Sequence, residues 1–93
     1  MVTAIVLLKV QPRKVNDVAN ALLELDGVSE VYSVGGRYDI VAMVRAKDND
    51  DLAATVTEGC LTVDGIEQSE TLIAFRAFSR HDLEHMFSLG GEE

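Results

Sequence analysis

An Asp-Gly pair occurs twice in this 93-residue chain, at Asp26-Gly27 and at Asp64-Gly65, and a branched apolar residue follows each pair. Glycine readily adopts the left-handed conformation that ends a helix. Apolar residues at helical spacing precede each pair, and a run typical of a strand follows it. The sequence therefore predicts the same plan twice: a strand, a helix that ends at Asp-Gly, and a second strand.

The first unit begins with a strand over residues 3–10, in which both faces are apolar, with Ile5 and Leu7 on one of them. Pro12 ends this strand and precedes a helix. The helix carries its apolar residues on one side, as expected for a helix that packs on a sheet. These residues are Val15, Val18, Ala19, Leu22 and Leu25.

The second unit has strands predicted over residues 38–46 and 66–78, and neither face of the first of these strands is polar. Asp48 or Asn49 can cap the helix between them, because short polar side chains accept bonds from the first helical amides. Leu52, Val56 and Cys60 form its apolar stripe. Cys60 is therefore predicted to be a small buried hydrophobe rather than a reactive thiol.

Gly35-Gly36 joins a strand predicted over residues 28–34 to the strand that begins at residue 38. Two glycines between β-branched and aromatic runs indicate a hairpin with a tight primed turn, since both accept positive φ. Backbone without side chains, followed by Arg37, Tyr38 and Asp39, makes this turn the candidate functional region.

The order βαββαβ matches the ferredoxin-like motif. We expect a single α+β domain over residues 1–93, a four-stranded antiparallel sheet with two helices on one face. The bare apolar face predicts a dimer packed sheet to sheet, a dimeric α/β sandwich. A short extra helix is predicted over residues 79–89, with Leu83, Met86 and Phe87 turned inward, and residues 90–93 as a frayed tail.

The formal net charge is −8, with 16 acidic and 8 basic residues. Direct binding to nucleic acid or to an anionic membrane is disfavoured, because both require clustered Lys and Arg. One cysteine excludes an internal disulfide. The sequence shows neither a signal peptide nor a long apolar span, which predicts a cytoplasmic protein.

No catalytic constellation is evident. His81 and His85 are spaced as metal ligands on a helix, but no third ligand accompanies them. A small dimeric ferredoxin-like enzyme, such as a monooxygenase or isomerase, would place polar side chains between sheet and helices. Here those positions are Val, Leu and Ala. We therefore expect no enzyme activity, no cofactor and no metal, and keep the enzyme and a purely structural assembly module as alternatives.

Residues 31–41 resemble the ligand-binding domain of the Lrp/AsnC transcription regulators, also called the RAM domain. Leu25-Asp26-Gly27-Val28 and Asp64-Gly65-Ile66 extend the resemblance over about residues 1–80. The family usually has Pro-Gly-Val at both places, so Asp replaces Pro twice here.

The resemblance implies that a small effector, typically an amino acid, binds between dimers near the hairpin. Seven residues are implied in the site: Gly35, Gly36, Arg37, Tyr38, Asp39, Ser69 and Thr71. The glycine amides would meet the ligand carboxylate, and Asp39 would accept bonds from the α-ammonium group. Tyr38 would form an apolar wall with a polar tip.

The hydroxyls of Ser69 and Thr71 would add contacts, and Arg37 would pair with a carboxylate across an interface. The alternative is that the glycines only form a turn, Asp39 is a satisfied strand-end acid and Arg37 a solvated charge. The residues alone favour this alternative, and the resemblance supports ligand binding.

Full-length regulators of the family place a helix-turn-helix before this module, and this sequence opens directly on its first strand. We therefore expect a stand-alone sensor or adaptor in transcription regulation that does not itself bind DNA. The resemblance further implies homodimers assembled into a ring of about four or five dimers, with co-assembly with full-length regulators as one partner relationship.

Overall fold

The computed structural model describes residues 1–78 and 80. Its strands are β1 (Val2–Val10), β2 (Val28–Ser33), β3 (Ile40–Ala46) and β4 (Ile66–Ala74). Helix α1 covers Val15–Leu23 after a 3-10 turn over Pro12–Lys14. Helix α2 covers Asn49–Ala54 and continues through a π-helical turn (Thr55–Gly59) and a 3-10 turn (Cys60–Thr62).

The strands form one antiparallel sheet in the order β2-β3-β1-β4. With the element order βαββαβ, this is the predicted ferredoxin-like fold. Strands β1 and β3 are central, while β2 and β4 are the edges. Both helices pack on one face, so the two faces of the sheet meet different surroundings.

The hydrophobic core lies between the helices and the sheet, because alternate residues of the central strands point towards the helices. Leu8, Ile40 and Leu22 are its largest fully buried side chains. Val56 and Cys60 contribute from the second helical segment, as their spacing predicts. Burial raises the pKa of the Cys60 thiol above its ordinary value, which disfavours a reactive thiolate.

The opposite side, which we call the helix-free face, carries apolar side chains that are only partly buried. The register places Ile5 between Met43 and Leu72, and Leu7 between Val41 and Glu70. The face is made by Ile5, Leu7, Tyr32, Val41, Met43, Glu70 and Leu72. A mostly apolar face remains uncovered in a single chain, as the sequence predicted.

Helix ends follow local sequence signals. Asp48 caps α2, its side chain accepting a bond from the Asp51 amide at 2.8 Å. Gly27 and Gly65 have φ of 95° and 105°, the left-handed region expected after each helix. At Gly65 the chain also bonds to the end of β1, since the Gln11 amide donates to its carbonyl at 2.9 Å.

Three boundaries differ from prediction. The β2–β3 connection is a six-residue loop over residues 34–39, because pairing stops at Ser33 and Ile40, so the tight primed turn was wrong. Strand β3 therefore begins two residues later than predicted. Strand β4 stops at Ala74 rather than residue 78, since β1, its pairing partner, begins at Val2. The predicted helix over residues 79–89 lies outside the described residues, apart from Arg80.

Candidate ligand site at the β2–β3 loop

The loop is closed by one backbone bond, from the Val34 amide to the Asp39 carbonyl at 2.9 Å. Gly36 has φ of 129°, a conformation that side-chain-bearing residues rarely adopt. A Cβ added at Gly35 or Gly36 would meet no atom within 4 Å. The backbone at both glycines is therefore open to a molecule approaching from outside.

Asp39 connects the loop to β1. Its amide donates to the Leu8 carbonyl at 2.9 Å, and its Oδ2 accepts a bond from the Val10 amide at 2.8 Å. Lys9 Nζ lies 3.8 Å from the same oxygen. The carboxylate is thus fixed at the end of the strand through Oδ2. Within residues 1–78 and 80, Oδ1 has no hydrogen-bond partner and is available to a ligand.

Tyr38 connects the loop to β4, two strands away. Its hydroxyl donates to Glu70 Oε1 at 2.7 Å. This hydrogen bond raises the pKa of Tyr38 above its ordinary value, and partial burial and the negative charge of Glu70 act in the same direction. Arg37 opposes the shift weakly. Glu70 is a residue that sequence reasoning missed, because no local pattern marks a contact across 32 positions.

Ser69 and Thr71 lie on the opposite side of β4 from Glu70. The register pairs Ser69 with Leu8 and Thr71 with Val6, both of which face the helices. Ser69 is level with Ile40, the first β3 residue after the loop, whereas Thr71 borders a groove beside α2. Within one chain the structure therefore groups the loop with Glu70 and leaves Thr71 apart.

Arg37 is exposed at the loop, and no ion pair involves it within residues 1–78 and 80. No three His, Cys, Asp or Glu side chains of that part of the chain are arranged to hold a metal ion. His81 and His85 lie outside it. No helix of the described chain is long and apolar enough to cross a membrane.

The contact between Tyr38 and Glu70 predicts that the stability of the fold depends on pH. A raised folded-state pKa means that the contact stabilises the fold below the ordinary tyrosine pKa of about 10 and is lost as pH rises through the folded value. We expect Glu70→Ala to lower the pKa of Tyr38 towards that ordinary value, measured by ultraviolet absorbance of the phenolate during an alkaline titration.

Tyr32 provides the matched control, since its hydroxyl donates to Glu30 at 2.7 Å and its pKa is raised for the same reason. Glu30→Ala should shift Tyr32 only, and Tyr38→Phe identifies which transition belongs to which tyrosine. An unchanged titration in Glu70→Ala would mean that the contact does not persist in solution.

The fold and the loop together define a class: a ferredoxin-like α/β domain with an open, glycine-rich loop held against the sheet by a carboxylate and a phenol. The sequence model of the Lrp/AsnC ligand binding domain matches residues 3–83. The chain therefore belongs to the Lrp/AsnC ligand-binding-domain family.

Individual similarities agree with this assignment. The crystal structure of TTHA0845 from Thermus thermophilus has 49% identity and a TM-score of 0.80, covering 86% of this chain and all of that one. An uncharacterized HTH-type transcriptional regulator of Pyrococcus horikoshii is 32% identical over 74% of this chain and 46% of the regulator. The chain thus spans about half the length of the curated relatives it matches.

The transcriptional regulator NMB0573 of Neisseria meningitidis was crystallised as a complex with L-Met. It superposes with a TM-score of 0.75 at 12% identity, covering 85% of this chain and 53% of the regulator. At that identity the likeness shows the shared fold only.

Proposed function

We propose that this chain is an oligomeric module that binds an amino acid or a similar small effector and works as a sensor or adaptor in transcription regulation. The observation that carries the proposal is the β2–β3 loop: a Cβ at either glycine would meet no atom within 4 Å, and the Asp39 carboxylate at the end of the loop is fixed in position. Membership of a ligand-binding-domain family supports it, as does the complex of a same-fold regulator with L-Met.

The recognition chemistry uses opposite ends of the loop. Amides at Gly35 and Gly36 would donate to the effector carboxylate, because consecutive amides can form a concave anion site. Asp39 Oδ1 would accept from the α-ammonium group, while Oδ2 stays bonded to the Val10 amide. Tyr38, held by Glu70, would form a wall of the site. Arg37, Ser69 and Thr71 would act only where a neighbouring subunit brings them close.

The assembly part of the proposal rests on the helix-free face. Its partly exposed apolar side chains need a partner, and a second copy supplies a matching apolar sheet related by a twofold axis. Dimers would then associate further, about four or five to a ring, and the effector would bind between them. Full-length regulators that carry the same domain are candidate partners for co-assembly.

Catalysis is not part of this proposal. All buried side chains of the core are apolar among residues 1–78 and 80, and the polar groups at the loop lie at the surface. A structural module without a ligand is the competing function, and an amino-acid screen separates the two. Thermal-shift measurements with each amino acid identify the ligand, and calorimetry then measures its affinity.

Asp39 is the residue whose substitution tests the site. Asp39→Asn keeps an oxygen for the Val10 amide but removes the charge that would bind the α-ammonium group. A charged hydrogen bond contributes roughly 1.5–3 kcal/mol, so we expect the affinity for the screened amino acid to fall about tenfold to a hundredfold. Calorimetry on both proteins gives the ratio.

Asp39→Ala is the companion variant. It removes the acceptor of the Val10 amide as well, so it should weaken binding and lower the free energy of unfolding by roughly 1–3 kcal/mol. Equal affinities in wild type and Asp39→Asn would remove Asp39 from the site. The absence of any stabilising amino acid would instead favour the structural module.

A further inference from the structure

A second surface of the molecule is more apolar than the loop and has no role in the proposed function. A groove of about 600 Å³ runs between α2 and the outer edge of β4. Leu52, Val56 and Leu61 line its helical side, and Thr71, Ile73 and Phe75 its strand side. It lies on the helix side of the sheet, so a dimer formed through the helix-free face would leave it open.

Two large apolar side chains on the strand side of the groove are poorly covered. Ile73 is 49% exposed and Phe75 96% exposed. Strand β4 is also an edge strand of nine residues, whose outer backbone groups are unpaired within the described chain. Proteins commonly cover such edges with a helix or a loop, because bare apolar edges promote aggregation.

We propose that residues 81–89 of the same chain fill this groove as a short amphipathic helix. Only residues 76–80 separate this segment from Phe75, which lines the groove, and the described chain continues only to Phe78 and Arg80. The segment offers apolar side chains at helical spacing on one side, namely Leu83, Met86 and Phe87. Its polar residues, among them Asp82, would face water.

The length of the segment as a helix matches the length of the strand side of the groove. A helix of nine residues is about 13 Å long, and the chain from Thr71 to Phe75, just after the end of β4, spans about 13 Å at the usual rise of a strand. Residues 76–79 would reverse the chain direction before the helical Arg80, and four residues is an ordinary length for such a connection. A segment that folds back along β4 would therefore cover Ile73 and Phe75 together. A second copy seated in the groove is the competing occupant.

Thiol labelling in the full-length chain tests this proposal. Thr57 lines the groove, and the native Cys60 is fully buried, so Thr57→Cys introduces a thiol that reports on the groove. Glu58→Cys is the matched control, because Glu58 is exposed on the same helical segment and borders a different depression, beside Leu25. The labelling rate of each cysteine variant is measured in the otherwise native chain and in a chain that also carries Leu83→Ser, Met86→Ser and Phe87→Ser.

We expect the combined serine substitutions to raise the labelling rate at position 57 about tenfold, the effect of ~1.4 kcal/mol of lost protection, with little change at position 58. Phe87→Ser alone should produce a smaller rise with the same selectivity. Equal rates at position 57 would overturn the proposal, and so would similar increases at both positions. Protection that disappears on dilution would overturn it in favour of a neighbouring copy.

Discussion

Ile5→Asp should convert the proposed sheet-to-sheet dimer into monomers. Ile5 lies at the centre of the helix-free face, between Met43 and Leu72, and is only partly buried in a single chain. A twofold interface on this face would bury two introduced carboxylates without partners, at a cost of roughly 3–5 kcal/mol each. The dimer dissociation constant should rise by at least about a thousandfold, as measured by analytical ultracentrifugation over a concentration series.

Leu23→Asp is the matched control for that experiment. Leu23 is an equally apolar residue that is 52% exposed on α1, away from the helix-free face. The control should retain the wild-type association, and circular dichroism should show that both variants are folded. If Ile5→Asp associates as tightly as wild type, the subunits do not meet through this face.

Leu22→Ala should destabilise the folded subunit strongly. Leu22 is fully buried, and it packs from α1 into the core that the central strands form. Removing a buried leucine costs roughly 2–5 kcal/mol, because contacts are lost and a cavity remains. Small domains are stable by only about 5–15 kcal/mol, so the melting temperature should fall by about 10 °C or more.

Leu23, the next residue along α1, provides the matched control for Leu22. Leu23→Ala makes the same substitution at a position where the leucine is half exposed. It should lower the free energy of unfolding by less than about 1 kcal/mol. Denaturant unfolding at a fixed protein concentration measures both, since the stability of an oligomer depends on concentration. Similar losses for the two variants would contradict the assignment of α1's buried side.

Local signals in the sequence predicted much of the fold correctly. Alternation along residues 3–10 separates the two faces of β1 because side chains in a strand alternate, whatever the neighbouring strands are. Asp48 caps α2 and Gly27 and Gly65 follow the helices with positive φ, because capping and left-handed conformations depend on residues only a few positions apart. The resemblance to Lrp/AsnC proteins rests on patterns that are equally local, namely residues 31–41 and the two Asp-Gly pairs.

Contacts between distant segments determine the remaining features of the fold and of the candidate site. Local patterns predicted the order of elements, the apolar faces and the glycine-rich loop. Only the tertiary structure shows that Asp39 accepts from Val10, 29 positions away, and that Tyr38 reaches Glu70. The loop length and the end of β4 likewise depend on where β1 and β3 stop pairing. The reason is that these partners are far apart in the sequence and only the folded sheet brings them together. The residues around each partner therefore carry no signal of the contact.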